Sequence, residues 1–279
     1  MPEISTNRFR AGEGEPLVLV HGFTATWRIW LPVLPELVAR FDVLAPTLHG
    51  HDGGPAVPFG VVARTPGEAA DHLELQLDEQ GIETAHFVGN SMGGAIVLEL
   101  AKRGRARSVV AIAPGGGWEP HSGEGERLVR SFARTQRICR RVMPRVDQIV
   151  KRPSSRRFAF REIMRHGDRL PPKEAARLIR SAVCCDVVED VFASIRSGEA
   201  LLRDLDRIEC PVLIAWPQLD TVLPMALHAP RFRREIPGVD FTVLEGTGHV
   251  PTWDDPDLVA ETITGFVARV AAGDQYAAG

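Results

Sequence analysis

The chain has 279 residues, of which 44% are hydrophobic and 25% charged, so one large α/β domain can bury a core without disulfides or metals. The formal net charge of −3 indicates neither a nucleic-acid-binding protein nor an acidic tail. The four cysteines form no CxxC pair, the N-terminus lacks a signal-peptide pattern, and no apolar run reaches the roughly 18 residues of a membrane span. We therefore expect a cytoplasmic protein without a membrane span.

Short apolar runs alternate with helical patterns over residues 1–117. This alternation is typical of a mostly parallel sheet with helices on both faces. The pattern predicts strands at 17–20, 41–45, 85–88 and 108–113. It predicts helices at 27–40 and 66–80, and a further helix that begins just after Ser91.

The strand pattern stops over residues 118–207, where the sequence is helical and is interrupted at Pro144, Pro153 and Pro171–Pro172. It resumes over 208–279 with strands at 210–216 and 239–244 and a helix at 257–271; the tail beyond Gly273 is expected to be disordered. We therefore predict two core segments, 1–117 and 208–279, that share one sheet. Residues 118–207 are predicted to form a helical cap over the edge where parallel sheets bind ligands.

The segment Gly89-Asn90-Ser91-Met92-Gly93 joins a predicted strand to a predicted helix. A GxSxG motif in this setting is typical of a nucleophile elbow, in which the tight turn exposes the serine hydroxyl at a helix N-terminus. A helix-capping serine in a glycine-rich turn is the structural alternative. We identify Ser91 as the candidate nucleophile.

A serine nucleophile needs a base, and the base needs an orienting carboxylate. Asp220 follows the strand predicted at 210–216, and His249 follows the strand predicted at 239–244. The loops after parallel strands meet at one edge of the sheet, so Ser91, Asp220 and His249 are predicted to form a triad. Other acidic residues fit less well, because Asp204 and Asp206 precede their strand and Asp254 and Asp255 begin the last helix.

The segment His21-Gly22-Phe23 ends the first strongly predicted strand. Acyl transfer needs two backbone N–H groups directed at the developing oxyanion, one of them from the residue after the nucleophile. We therefore predict an oxyanion hole formed by the N–H groups of Phe23 and Met92, although a simple strand-ending turn gives the same local pattern.

Together these motifs resemble the α/β-hydrolase superfamily, in particular its capped bacterial members, over essentially the whole chain. The resemblance implies an α/β-hydrolase fold whose cap is inserted before the strand that carries the acid. Ser91 argues against the epoxide hydrolases and dehalogenases of the superfamily, which place Asp at this position. The Gly89–Gly94 elbow also resembles carbon–carbon hydrolases, but the loop at 23–26 lacks their Gly-Pro-Gly pattern and Val250 replaces their Trp.

Three further sequence patterns have both a functional and a structural interpretation. The histidines of His49-Gly50-His51-Asp52 do not predict a metal site, because the spacing of binuclear zinc ligands is absent. Residues 121–180 hold 17 Lys and Arg against 6 Asp and Glu, which favours either an acidic substrate or a solvated helical face. Tryptophans such as Trp27 and Trp118 fit either a pocket or the core. We assign Trp27, Trp118 and Val250 to substrate binding.

The sequence therefore predicts a serine hydrolase that cleaves a small-molecule ester through an acyl-enzyme. No cofactor, metal or nucleic acid is expected, the only expected partner is the small-molecule substrate, and the oligomeric state is left open. Two alternatives remain. One is a carbon–carbon bond hydrolase that acts on a vinylogous diketone acid, and the other is a ligand-binding protein that keeps the fold with little catalysis.

Overall fold

The computed structural model describes residues 3–57 and 64–273. Within these residues the strands are β1 (Glu3–Ile4), β2 (Arg8–Ala11), β3 (Pro16–Val20), β4 (Asp42–Pro46), β5 (Ala85–Asn90), β6 (Ala106–Ile112), β7 (Val212–Pro217) and β8 (Asp240–Leu244). The α-helices are α1 (Leu34–Val38), α2 (Pro66–Glu79), α3 (Met92–Lys102), α4 (Glu124–Val142), α5 (Val146–Ile149), α6 (Pro153–Phe160), α7 (Pro172–Val183), α8 (Val188–Ser197), α9 (Met225–Glu235) and α10 (Pro256–Ala271).

The described strands form one sheet in the order β1-β2-β4-β3-β5-β6-β7-β8. Neighbouring strands from β4 to β8 pair in parallel, whereas β1 and β2 are antiparallel at one edge. The mostly parallel sheet is therefore confirmed. Its central strand β5 is buried at all six positions, which is expected of a strand covered on both faces.

The two faces of the sheet carry separate apolar clusters. Alternate residues of β3 belong to different clusters because successive side chains of a strand point to opposite faces. Leu17 and Leu19 pack with α1 and α10 on one face. Val18 and Val20 pack with α2, α3 and α9 on the other. Helices thus cover both faces, as predicted. The first cluster also includes Phe160 and other residues of the helices between β6 and β7, so those helices share a core with the sheet.

The predicted helix at 27–40 is wrong in its extent. The structure has a 3₁₀ turn at Trp27–Trp30 and then the short helix α1. Pro32 explains the interruption, because proline lacks an N–H and disfavours helical backbone in the residue before it. Three elements were not predicted at all, namely β1, β2 and α9.

Five helices, α4 to α8, lie between β6 and β7 in the described chain, and we call them the inserted helices. The predicted interruptions coincide with their boundaries. A 3₁₀ turn at Met143–Arg145 follows α4, and α6 and α7 begin at Pro153 and Pro172. Proline suits a first helical position because the N–H that it lacks has no helical acceptor there.

Among the described residues, no helix combines the length and the hydropathy that crossing a membrane requires. The tail that we expected to be disordered begins after Gly273 and lies outside the described residues.

Candidate active site

Ser91 lies between the end of β5 and the first turn of α3, in a backbone conformation that side chains rarely adopt. Its φ is 59° and its ψ is −117°. The neighbouring glycines allow this turn, because a Cβ at Gly89 would lie 2.2 Å from the carbonyl oxygen of Gly93, and a Cβ at Gly93 would lie 2.2 Å from that of Val20. The strand, the turn and the helix are therefore packed backbone against backbone, and strain is held at the candidate nucleophile.

His249 and Asp220 form a buried pair at the same edge of the sheet. The Nδ1–H of His249 donates to Oδ2 of Asp220 over 2.7 Å. The other carboxylate oxygen, Oδ1, accepts the backbone N–H groups of Val222 and Leu223, each at 2.8 Å. Three donors thus fix the Asp220 carboxyl group in place, and the tautomer of His249 that donates from Nδ1 leaves Nε2 available as a base.

The side chain of Asn90 connects the loop of His249 to the elbow. Its Nδ2 donates to the carbonyl oxygen of His249 at 3.0 Å and to that of Ile112 at 3.3 Å. Sequence reasoning treated Asn90 only as part of the motif. The contact shows why an amide is useful here, since one buried side chain donates to two carbonyl groups, one at the end of β6 and one on the loop of His249.

The loop after β3 brings the backbone of Phe23 to the same edge. Gly22 is close enough to Ser91 that a Cβ at position 22 would lie 3.1 Å from the Cβ of Ser91. Met92 begins α3, so its N–H has no acceptor within the helix. Phe23 lines two cavities with Ser91, and Met92 lines one of them, so the two residues predicted to supply the oxyanion donors border the same cavities as Ser91.

His21 fixes the orientation of that loop. It is fully buried, its Nδ1–H donates to the carbonyl oxygen of Gly22 at 2.8 Å, and its Nε2 accepts the N–H of Leu48 at 3.0 Å. Burial and the neighbouring His51 hold the pKa of His21 well below its ordinary value, so the ring is neutral. A trans peptide directs its C=O and N–H in opposite directions, so holding the Gly22 carbonyl also fixes the N–H of Phe23.

A cavity of about 730 Å³ lies between the sheet edge and the inserted helices. Ser91 and His249 lie on its floor with Gly22 and Phe23. Its walls are mainly apolar residues of the inserted helices, for example Phe132, Cys139, Val142, Phe160, Leu178 and Ile179. This composition suits a substrate with a large apolar part and one polar group at the floor.

A second cavity of about 70 Å³ also reaches Ser91. Met92, Ala95, Trp118, Leu128 and Leu223 are among the residues that line it. Phe23 and Phe132 border both cavities, so Ser91 lies where a large and a small apolar space meet. A substrate whose two halves differ strongly in size fits this arrangement.

The three residues assigned to substrate binding have different positions. Val250 lines the large cavity and Trp118 lines the small one. Trp27 does neither, and its assignment is wrong. It is 1% exposed and packs against Phe9 and other core residues, with the guanidinium of Arg28 over its ring at 4.7 Å. The 3₁₀ turn directs it into the core, where a large aromatic side chain buries most area.

Asp254 is the residue that sequence reasoning misjudged most. Its carboxylate is buried and accepts three backbone N–H groups, those of Gly248 and Arg165 at 2.8 Å and that of His166 at 2.6 Å. Asp255, not Asp254, caps α10 by accepting the N–H of Leu258. Asp254 therefore joins the loop of His249 to the inserted segment, and no local sequence signal distinguishes it from its neighbour.

A model of the alpha/beta hydrolase family matches residues 17–262. The chain belongs to this family. The α/β-hydrolase fold expected from the motifs is thereby confirmed. Among curated proteins, the epoxide hydrolase EphH of Mycobacterium tuberculosis is 35% identical over 201 residues, which cover 71% of this chain and 92% of the relative.

Two solved structures illustrate the likeness in fold. A thermophilic esterase from Thermogutta terrifontis superposes with a TM-score of 0.71 at 22% identity, covering 97% of this chain and 99% of the esterase. A 2-hydroxy-6-oxo-6-phenylhexa-2,4-dienoate hydrolase from a Rhodococcus species gives a TM-score of 0.73 at 20% identity, covering 96% of this chain and all of that chain. At these identities the likeness establishes the fold alone.

Proposed function

We propose that this alpha/beta hydrolase is a serine hydrolase that cleaves small-molecule carboxylic esters. The observation that carries the proposal is the buried pair of His249 and Asp220, which faces the same cavity floor as the strained Ser91. Nε2 of His249 removes the hydroxyl proton as Oγ of Ser91 attacks the ester carbonyl, and Asp220 stabilises the imidazolium. The alcohol leaves with that proton. Water, deprotonated by His249, then hydrolyses the acyl-enzyme.

The oxyanion of both tetrahedral intermediates is held by the N–H groups of Phe23 and Met92 in this mechanism. Removing one such donor typically lowers the rate by about a hundred-fold. The position of Ser91 at the N-terminus of α3 adds a favourable dipole for the negative charge. Each step uses only the side chains and backbone groups of this chain.

The inserted helices serve as a cap in this proposal, with the core divided between residues 1–117 and 208–279. Two observations support it: residues of α4, α6 and α7 line the cavity above Ser91, and their apolar faces join the core beneath. Val250 and Trp118 are assigned to the two substrate cavities.

Epoxide hydrolysis, the activity named for the mycobacterial relative, fits this site less well. Attack of a serine oxygen on an epoxide carbon would form an ether, which neither His249 nor water can then cleave. Attack of a carboxylate would form an ester, which is hydrolysable. Ser91 at the elbow therefore favours ester substrates over epoxides.

The test is labelling of the full chain with a fluorophosphonate, which reacts with activated serines, followed by turnover of esters of increasing acyl length. We expect stoichiometric labelling that disappears in Ser91→Ala and persists in Ser131→Ala, since Ser131 lines the same cavity but is not part of the proposed triad. A folded wild-type protein that resists the label, or a label retained by Ser91→Ala, would exclude the proposed nucleophile. Faster turnover of a ring-fission dienoate than of any ester would favour carbon–carbon hydrolysis instead.

A further inference from the structure

The large cavity opens to solvent between α4 and α6. Arg134 and Ile138 on α4 and Phe158 and Arg161 at the end of α6 are among the exposed residues that line it there, and we call these four the cavity mouth. Ile138 is 49% and Phe158 67% exposed, and Phe158 is the most exposed large hydrophobic residue among those the structure describes. Large apolar side chains that stay exposed together mark a contact surface more often than a purely solvated one.

The surroundings of the mouth are strongly basic. Residues 127–162 contain twelve Lys and Arg and two acidic residues, Asp147 and Glu162. All eight basic residues between Arg130 and Arg152 are exposed, and none forms an ion pair with a carboxylate within the described chain. Asp147 itself pairs with Arg180 at 2.5 Å, and Glu162 lies 3.6 Å from the guanidinium of Arg161. The charge of the eight residues from Arg130 to Arg152 is therefore not neutralised by carboxylates of the described chain.

Helix geometry places this charge beside the apolar side chains. Residues three or four apart are neighbours on a helix surface, so Ile138 lies between Arg134 and Arg141, and Arg137 lies beside both arginines. The guanidinium of Arg161 lies 4.1 Å from the centre of the Phe158 ring. An ordinary solvated helix face carries charge but not an exposed phenylalanine and isoleucine at the opening of an apolar cavity.

We propose that the cavity mouth docks on an anionic lipid surface, so that substrates dissolved in the lipid pass directly into the cavity. Anionic headgroups attract basic residues with a free energy of about 1 kcal/mol for each Lys or Arg near the surface. Ile138 and Phe158 then insert among the acyl chains while the arginine stems remain at headgroup level. This docking is independent of the bond that Ser91 cleaves, and it needs no membrane-spanning helix.

The experiment is co-sedimentation of the full chain with phosphatidylcholine vesicles, with and without about one third phosphatidylglycerol. We expect binding only to the anionic vesicles, with release at high salt. Replacing Arg137, Arg141 and Arg145 together by Gln should weaken the partition coefficient by about a hundred-fold. The control triple Arg203→Gln, Arg207→Gln, Arg233→Gln removes equal charge from exposed positions elsewhere and should bind as wild type does.

Both triple variants should keep wild-type turnover of a short soluble ester, which verifies that they fold. Phe158→Ala should weaken binding by about tenfold at unchanged salt dependence, since it removes apolar area and no charge. The proposal is overturned by equal partition onto neutral and anionic vesicles, by no binding to either, or by equal losses in the two triple variants. A different outcome would assign the arginines to an anionic substrate instead of a lipid surface. In that case the wild-type protein does not bind vesicles, and the first triple variant has a raised KM for a soluble anionic ester.

Discussion

The parallel sheet and the inserted helices differ in how much of each element is buried and in the sequence patterns that result. Strands β5 and β7 are buried at every position, and they carry at their ends the turn of Ser91 and the loop of Asp220. The helix α4, by contrast, buries four of its 19 residues and turns the rest to solvent or to the cavity. In the proposed function, the sheet positions the reacting groups through rigid backbone, whereas the inserted helices select which molecules reach them.

The largest effect is expected from a substitution at the sheet edge that changes the proposed chemistry and leaves the inserted helices unaltered. Asp220→Asn should lower kcat by about 10⁴-fold, because the amide favours the wrong tautomer of His249 and no longer stabilises its charge. The acceptors for Val222 and Leu223 largely remain, so the unfolding midpoint should change little. Stopped-flow or steady-state ester hydrolysis together with thermal unfolding measures both; a loss below tenfold would remove Asp220 from the triad.

A second variant tests the hydrogen bonds by which Asp254 joins the loop of His249 to the segment between α6 and α7. Asp254→Ala leaves three backbone N–H groups without their acceptor, the part-buried ones of Arg165 and His166 and the buried one of Gly248 beside His249. We expect kcat to fall by about a hundred-fold as the His249 loop shifts, and the unfolding midpoint to fall as well. The matched control is Asp255→Ala, which removes only the cap of α10 and should cost about 1 kcal/mol with kcat intact. Equal kcat values in the two variants would limit Asp254 to a stabilising role.

Substitutions on the cavity walls test the selective role of the inserted helices. Ala182 lines the large cavity and Ala95 lines the small one. Ala182→Leu should lower kcat/KM by about tenfold for esters with a bulky apolar part and leave short esters unaffected. Ala95→Leu should instead discriminate against bulk on the other side of the scissile bond. The same substrate ranking in both variants would show that the cavities do not bind separate halves of the substrate.

The prediction with the smallest expected effect on activity concerns the pH dependence of stability. Burial lowers the pKa of His51, in the loop after β4, and of His228, which packs against α4, to about 4. The unfolded chain binds protons to these rings near pH 6.5 and the folded chain does not, so stability is complete above pH 6.5 and is lost as pH falls towards 4. Each ring contributes a slope of about 1.4 kcal/mol per pH unit in that window.

Urea unfolding at pH 7, 6 and 5 measures that slope. His228→Asn should flatten the pH dependence by the share of one ring, whereas His121→Asn, at an exposed position, should leave it as in the wild type. Stability that rises as the pH falls from 7 to 5 would contradict the assigned direction of both pKa shifts.

Sequence patterns predicted the sheet better than the inserted helices for a physical reason. Buried parallel strands are continuous apolar runs bounded by turns, so β3 to β8 were located within one or two residues. Ser91, Asp220 and His249 were brought together by the rule that parallel strands end at one edge. Their catalytic roles remain a prediction, supported by the hydrogen bond between Asp220 and His249.

What the sequence could not reveal depends on contacts between distant segments. Trp27 and Trp118 look alike in sequence, yet one is a core residue and the other lines a cavity. Asp254 and Asp255 are adjacent and chemically identical, and only the position of Arg165 and His166 distinguishes them. The cavity walls come mainly from α4, α6 and α7, whose packing against one another no local periodicity encodes.

The attachment of the inserted segment also has a consequence for protein engineering. The segment that contains Arg165 and His166 is hydrogen-bonded through Asp254 to the loop of His249, whereas among the described residues no hydrogen bond or ion pair joins the cavity mouth on α4 and α6 to a residue of the proposed triad. Libraries confined to exposed positions of α4 and α6 should therefore change substrate range without the usual loss of turnover. A chimera can be made on the same principle by exchanging α4 and α6 with those of a relative. Its C-terminal junction should lie before Ile163 and not at the end of the whole insertion.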